Sequence, residues 1–241
     1  MKILTDIHTH TIASTHAYST IKENATVAAE KGLELIAMTD HSPLAPDSPH
    51  LWHFENSGAL PPVISGVKIL KGAELNILNK RGETDIPERI LKRLGIILAS
   101  IHYPIYEQRD DADHTKTWLK VMDNPYVDVL GHIGRNGFSF DHDAVIKKAK
   151  KKDILIEINR YTLAKENQKE VCRDIILSCK KHGAKICVGS DAHYCDSVGD
   201  FEDAINLLKD CDFPEELIIS RDAKTLTDHL KNRKPYLEFG F

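Results

Sequence analysis

The sequence predicts an α/β fold in which seven parallel strands close into a barrel. Three observations predict it. Short apolar, β-branched runs alternate with helical patterns from end to end. The length of 241 residues suits one barrel domain spanning residues 1–241. Residues able to ligate metal recur close behind the runs, at the strand ends where barrels build their sites.

The runs are 2–7, 34–39, 67–73, 95–101, 127–131, 154–158 and 185–189, each with the character of a buried parallel strand. After the first, Thr20 and Glu23 form a capping box; Ile21, Ala25, Ala28 and Ala29 line one helix face, and Gly32 ends the helix. Residues 42–66 hold Pro43, Pro46, Pro49, Pro61 and Pro62, half of the chain's 10 prolines. That segment is expected to be a long, stiff loop over the mouth, bearing His50, Trp52, His53 and Phe54. A second loop, 103–114, contains Arg109, Asp110, Asp111 and Asp113. Asp141 caps a helix that turns Val145, Ile146 and Ala149 inward. Helices are expected over 166–182, ended by Gly183, and over 200–210, with Phe201, Ile205 and Leu208 on one side.

The lysine-rich run 147–152 reads as a solvated helix end rather than a nucleic-acid patch. A net charge of −4 gives no bulk attraction to nucleic acid or to membrane. The lead before His8 is too short for a signal peptide, and no apolar run reaches membrane-spanning length. Five cysteines, odd in number and without CxxC spacing, suit a reducing compartment. The expected location is the cytoplasm.

Nine residues form the candidate metal set: His8, His10, His16, His41, Glu74, His102, His132, Asp191 and His193. Alternate residues of an extended segment point the same way, so His8 and His10 can hold one ion while Ile7 and Thr9 face elsewhere. Imidazole with a few carboxylates and no thiolate suits zinc, with manganese or iron as alternatives. Nine ligands are too many for one ion and about right for three. Glu74 can bridge two ions through its two oxygens, and Glu74, Asp191 and His193 are the candidate catalytic residues. Three divalent ions against one Glu and one Asp leave the site at about +4, which selects an anionic, phosphorylated substrate. Arg135, Arg160, His50 and His53 are candidates for gripping the phosphate. Asp6 and Asp40, each just before a ligand, are expected either to orient ligands or to serve turns. Glu157 and Asn159 end the sixth run and can reach the mouth. His114, His142, His182 and His229 are expected at the surface.

The motifs H-T-H, T-D-H, the lone Glu after the third run, and G-S-D-A-H resemble those of the PHP (polymerase and histidinol phosphatase) family. The stretch H-T-H-T-I-A-S-T-H-A-Y-S-T from His8 to Thr20 looks like the first motif of its YcdX-type phosphatase branch. Trp52-His53-Phe54, Glu157-Ile158-Asn159 and Asp212-Phe213-Pro214 are also similar to that branch. The resemblance implies a distorted (β/α)7, TIM-like barrel with a trinuclear zinc site at its carboxyl face. It implies one zinc on His8, His10, Glu74 and Asp191, a second on Glu74, His102 and His132, and a third on His16, His41 and His193. Ile133 after His132 departs from the family's usual proline.

The expected function is a metal-dependent phosphatase, most simply a phosphomonoesterase. The rivals are a phosphodiesterase or nuclease, against which stands the lack of a basic track, and a metal-binding regulatory module without turnover. An amidohydrolase would want a bridging lysine, and the ligand set has none.

Overall fold

A computed structural model describes residues 1–107, 113–135 and 139–240 of the chain. Arg109, Asp110 and Asp111 of the second loop lie outside the described residues.

Among the described residues, seven strands form one parallel sheet that follows chain order and curls into a nearly closed barrel. They are β1 (Thr5–Thr9), β2 (Leu35–Met38), β4 (Val67–Asn76), β5 (Ile96–Ser100), β6 (Val129–Leu130), β7 (Leu155–Asn159) and β8 (Ile186–Gly189). The two-residue β3 (Val63–Ile64) pairs antiparallel with β4, outside that order. Each expected run thus holds a strand. The ring closes at the mouth, where Asp191 N–H donates to His8 O and His10 N–H donates to Ala192 O, both at 2.9 Å.

The helices are α1 (Ile21–Glu30), α2 (Leu51–Glu55), α3 (Glu88–Leu91), α4 (Thr115–Val121), α5 (His142–Lys152), α6 (Arg160–Leu163), α7 (Glu166–His182), α8 (Glu202–Asp210) and α9 (Ala223–Arg233). The Thr20–Glu23 capping box and the Asp141 cap are both formed. Gly183 ends α7 at φ +62°, the left-handed conformation that glycine adopts without a steric cost. On α1 the buried face is Asn24, Ala25 and Ala28, whereas Ala29 is exposed. Asn24 is drawn inward because its amide donates to His10 O at 2.9 Å. The proline-rich segment is not all loop, since it carries α2, a 3-10 turn (Asn56–Ala59) and β3.

The barrel interior holds Ile7, Leu35, Ala37, Leu70, Ile96, Leu98, Val129, Leu155 and Cys187. Its floor is α9, whose Ala223, Leu226 and Leu230 join the same cluster with Ile219 of the preceding turn. Burying Leu226 and Leu230 stabilises this closure by about 1.5–3 kcal/mol each. A larger cluster fills the space between the strands and the outer helices, with Trp118, Tyr106 and Phe54 its bulkiest members. His114 and His229 are buried, contrary to expectation, because α4 and α9 pack inward at those positions.

The floor also contains a buried charge cluster. Asp128 and Lys234 are almost wholly shielded from solvent, and Asp128 receives Lys234 Nζ on one oxygen and Arg233 Nε at 3.1 Å on the other. Arg233 further ties down the carbonyls of Val127, Lys152 and Asp153. Removing one partner strands a buried charge, so Asp128→Ala is expected to cost roughly 3–5 kcal/mol in urea unfolding. The site lies at the opposite end, which leaves the metal content of the folded variant as a control.

Candidate metal centre

The barrel turns its polar residues toward one mouth through two devices. On β4 and β7 the period of two sets Leu70, Glu74 and Asn76 on one inward row and Leu155, Glu157 and Asn159 on another. On β1 that period is interrupted. The pairing with β2 shifts register between Asp6 and Thr9, a bulge-type irregularity. Ile7 therefore packs in the barrel interior while the His8 ring also reaches the inward carboxylates, instead of the two facing apart. His132 and Asp191 adopt positive φ, +30° and +57°. Such strained backbone persists where surrounding contacts enforce it, and Glu157 holds His132 N–H at 2.6 Å.

All nine expected ligands converge. Glu74, fully buried, is their centre. Its Oε2 lies 3.4 Å from His8 Nε2, 3.7 Å from His10 Nε2 and 2.8 Å from His41 Nδ1. Its Oε1 lies 2.9 Å from His132 Nε2 and 3.3 Å from His102 Nε2. Asp191 Oδ1 stands 3.1 Å from His10 Nε2 and 3.5 Å from His8 Nε2. His16 is the outermost, half exposed, with its Nε2 2.7 Å from His193 Nε2.

This donor set fits divalent metal. His8 Nε2, His41 Nδ1 and Glu74 Oε2 are buried and make no hydrogen bond, though they crowd one another. Four donors around one zinc stand about 3.3 Å apart, given bonds near 2.0–2.1 Å, and the measured spacings bracket that value. Three subsets have donor atoms within 4.8 Å of one another: His8 with His10 and Asp191; His41 with Glu74 and His102; and His10 with His41 and His193. His41 thus stands between groups rather than with His16 and His193 alone.

Protonation follows the same geometry. Burial lowers His10 to a pKa of about 3 and His132 to about 4, which keeps both rings neutral and able to ligate. Burial also opposes charge on His8, but Glu157, Asp191 and Glu74 outweigh it and raise its pKa well above the ordinary value. Burial would raise Glu74, yet His102, His8 and His41 hold it well below the usual carboxylate range. Burial likewise opposes charge on His41, but Glu74 and Asp191 outweigh it and raise its pKa, and divalent ions binding at these rings would compete with protons.

A surrounding shell orients the rings. Glu157 Oε1 faces His8 Nδ1 at 2.7 Å, which fixes the tautomer that leaves Nε2 as a ligand. Asn76 Oδ1 does the same for His102 Nδ1 at 2.7 Å. Asn159 Nδ2 reaches Glu157 at 3.2 Å and Asp191 at 3.3 Å. Asp6 accepts backbone N–H bonds from His8, Ser190 and Gly199, whereas Asp40 gathers Thr11, Ser14 and His53. Asp47 grips the His16 ring and backbone. Asn76 and Asp47 had no expected role, although Glu-x-Asn recurs in β4 and β7 and is a legible signal for the first.

The mouth opens into a cavity of about 480 Å³. Arg135 lines it, with Nη2 3.6 Å from Asp191 Oδ2. The other expected phosphate contacts do not line it. Arg160 pairs with Asp200 at 2.7 Å, and His50 accepts Trp52 N–H as the cap of α2. His53 binds Asp40 at 3.0 Å and borders a separate apolar groove. Lys165, Tyr161 and Tyr103 line the mouth cavity unforeseen.

Comparison with known proteins finds one family along nearly the whole chain. A family model described as "PHP domain" matches residues 6–238. A protein of Clostridium novyi named probable phosphatase is 44% identical over 235 residues, covering 97% of this chain and 96% of its own. One of Photobacterium profundum with the same description is 43% identical over the same shares. Among solved structures, histidinol phosphate phosphatase from Lactococcus lactis, complexed with Zn, L-histidinol and phosphate, aligns with a TM-score of 0.62 at 19% identity. It covers 87% of this chain and 94% of its own. A chain of archaeal ribonuclease P with mature tRNA aligns at 0.58 and 14% identity, covering 95% and 91%. At such identities the structural likeness is one of fold.

Proposed function

This chain belongs to the PHP domain family, and on that premise we propose that it hydrolyses small phosphomonoesters at three divalent ions, with zinc first and manganese or iron as alternatives. It is a phosphatase, and relatives similar across nearly its whole length are named probable phosphatases. The observation that carries the finer reading is Glu74, a buried carboxylate with five imidazoles within 3.7 Å and its two oxygens facing different rings.

One ion would be held by His8, His10, Glu74 and Asp191, and a second by Glu74, His102 and His132. His16, His41 and His193 would hold the third. Ions bound there would activate water and neutralise charge on the phosphoryl oxygens. The chain's own residues do the rest. Glu157, Asn76 and Asp47 aim the rings, Asp191 and Glu74 supply the anionic donors, and Arg135 would grip a phosphate oxygen.

The test sets p-nitrophenyl phosphate, its bis ester and single-stranded DNA side by side, with elemental analysis of the same preparation. Hydrolysis of the monoester at about three ions per chain is expected. Comparable rates on the bis ester or DNA would instead support a phosphodiesterase, and a fully loaded protein inert on all three would support a regulatory module.

A further inference from the structure

Among the described residues, the mouth cavity holds one cation with no carboxylate beside it. Its acidic residues are matched: Asp47 by His16, Glu74 by its ring of histidines, and Asp191 by His8, His10 and Arg135. Lys165, on the connection between α6 and α7, also lines the cavity, and among the described residues no carboxylate lies within ion-pair distance of it. Its ammonium is held instead over the Tyr161 ring, 5.2 Å from the centroid. A cation–π contact of this kind orients an ammonium without cancelling its charge. Tyr161 and Tyr103, which line the same cavity, are 46% and 44% exposed.

Lys165 is exposed, so water solvates its ammonium and it costs little unpaired, but a ligand that brings a second negative group into the cavity would gain an ionic contact there. The cavity, at about 480 Å³, falls in the range of small-molecule sites and has room beyond a phosphoryl group. We propose that Lys165, braced by Tyr161, recognises a second anionic group on the substrate. The preferred substrates are then phosphomonoesters whose organic part ends in a carboxylate or a second phosphate. This rests on the phosphatase reading only in placing the first phosphate at the metal centre.

Phosphonates separate the two, because their C–P bond lets binding be read without turnover. The metal-loaded protein is titrated calorimetrically with ω-phosphonocarboxylates of two to five carbons, with α,ω-bisphosphonates, and with alkylphosphonates of equal length. At least one doubly anionic compound is expected to bind about tenfold or more tightly than its alkyl partner, the scale of one ionic contact. Lys165→Ala should bring that ratio to about one, and Lys165→Arg should keep most of it. The better of the two anionic series identifies the second group. Equal affinities within every pair, or a preference that survives in Lys165→Ala, would overturn the proposal. Hydrolysis of p-nitrophenyl phosphate by the same preparation reports separately on the phosphatase reading: its loss with the preference intact sinks that reading and leaves this one standing.

Discussion

Glu74→Gln is expected to strip the protein of most of its bound metal and to lower kcat/KM on p-nitrophenyl phosphate on the order of 10³-fold or more. The carboxylate is the shared neighbour of His8, His10, His41, His102 and His132. Glutamine nearly preserves its volume but replaces one anionic oxygen with an amide donor. Whichever way the amide turns, one of the two ring groups loses its carboxylate oxygen. Folding should survive, because β4 keeps its backbone pairing with β2 and β5 and the His8, His10, His102 and His132 rings each have a partner besides Glu74. Elemental analysis against the parent checks metal loss, and a melting curve in chelator checks the fold. Full metal content with activity within tenfold of the parent would refute the bridging role.

Much of this centre was legible in the sequence, because strand ends are marked by apolar runs and the ligands follow them. His41, His102, His132 and Asp191 each sit two or three residues beyond a strand that a period-based reading finds. The β1 bulge was not legible. Strict alternation turns Ile7 away from His8, and only pairing with β2 shows both reaching inward. The floor helix α9 escaped for a different reason: Leu226 and Leu230 are its only large apolar residues, in a segment otherwise rich in charge. Its burial comes from a barrel end that needs closing, which is a tertiary demand. Arg160 and His53 read as candidates for gripping phosphate, but Asp200 and Asp40 claim them. Asp47 and Lys165 are the converse, outside any motif and brought to the mouth by folding, Asp47 against a ring 31 residues away.

Glu157→Gln is expected to weaken metal binding by about 10–100-fold, the usual consequence of removing a carboxylate that orients a ligating histidine. Its two oxygens accept from two different donors, His8 Nδ1–H at 2.7 Å and His132 N–H at 2.6 Å. Glutamine offers one acceptor and one donor, so either choice sets an N–H against an N–H in a buried pocket. One unsatisfied buried donor costs about 1–3 kcal/mol, and the His8 ring can escape that cost by turning, which takes Nε2 off the ion. The defect should therefore be one of occupancy: activity titrated with zinc shifts to higher concentration, and saturating metal restores much of the rate. Gly189 permits a second approach to the same contact. A Cβ there would stand 2.3 Å from Glu157 Oε1 and 2.7 Å from His8 Cβ, so Gly189→Ala should push the pair apart and move the zinc titration in the same direction. A zinc dependence unchanged in both variants would mean that His8 is aimed by its strand alone.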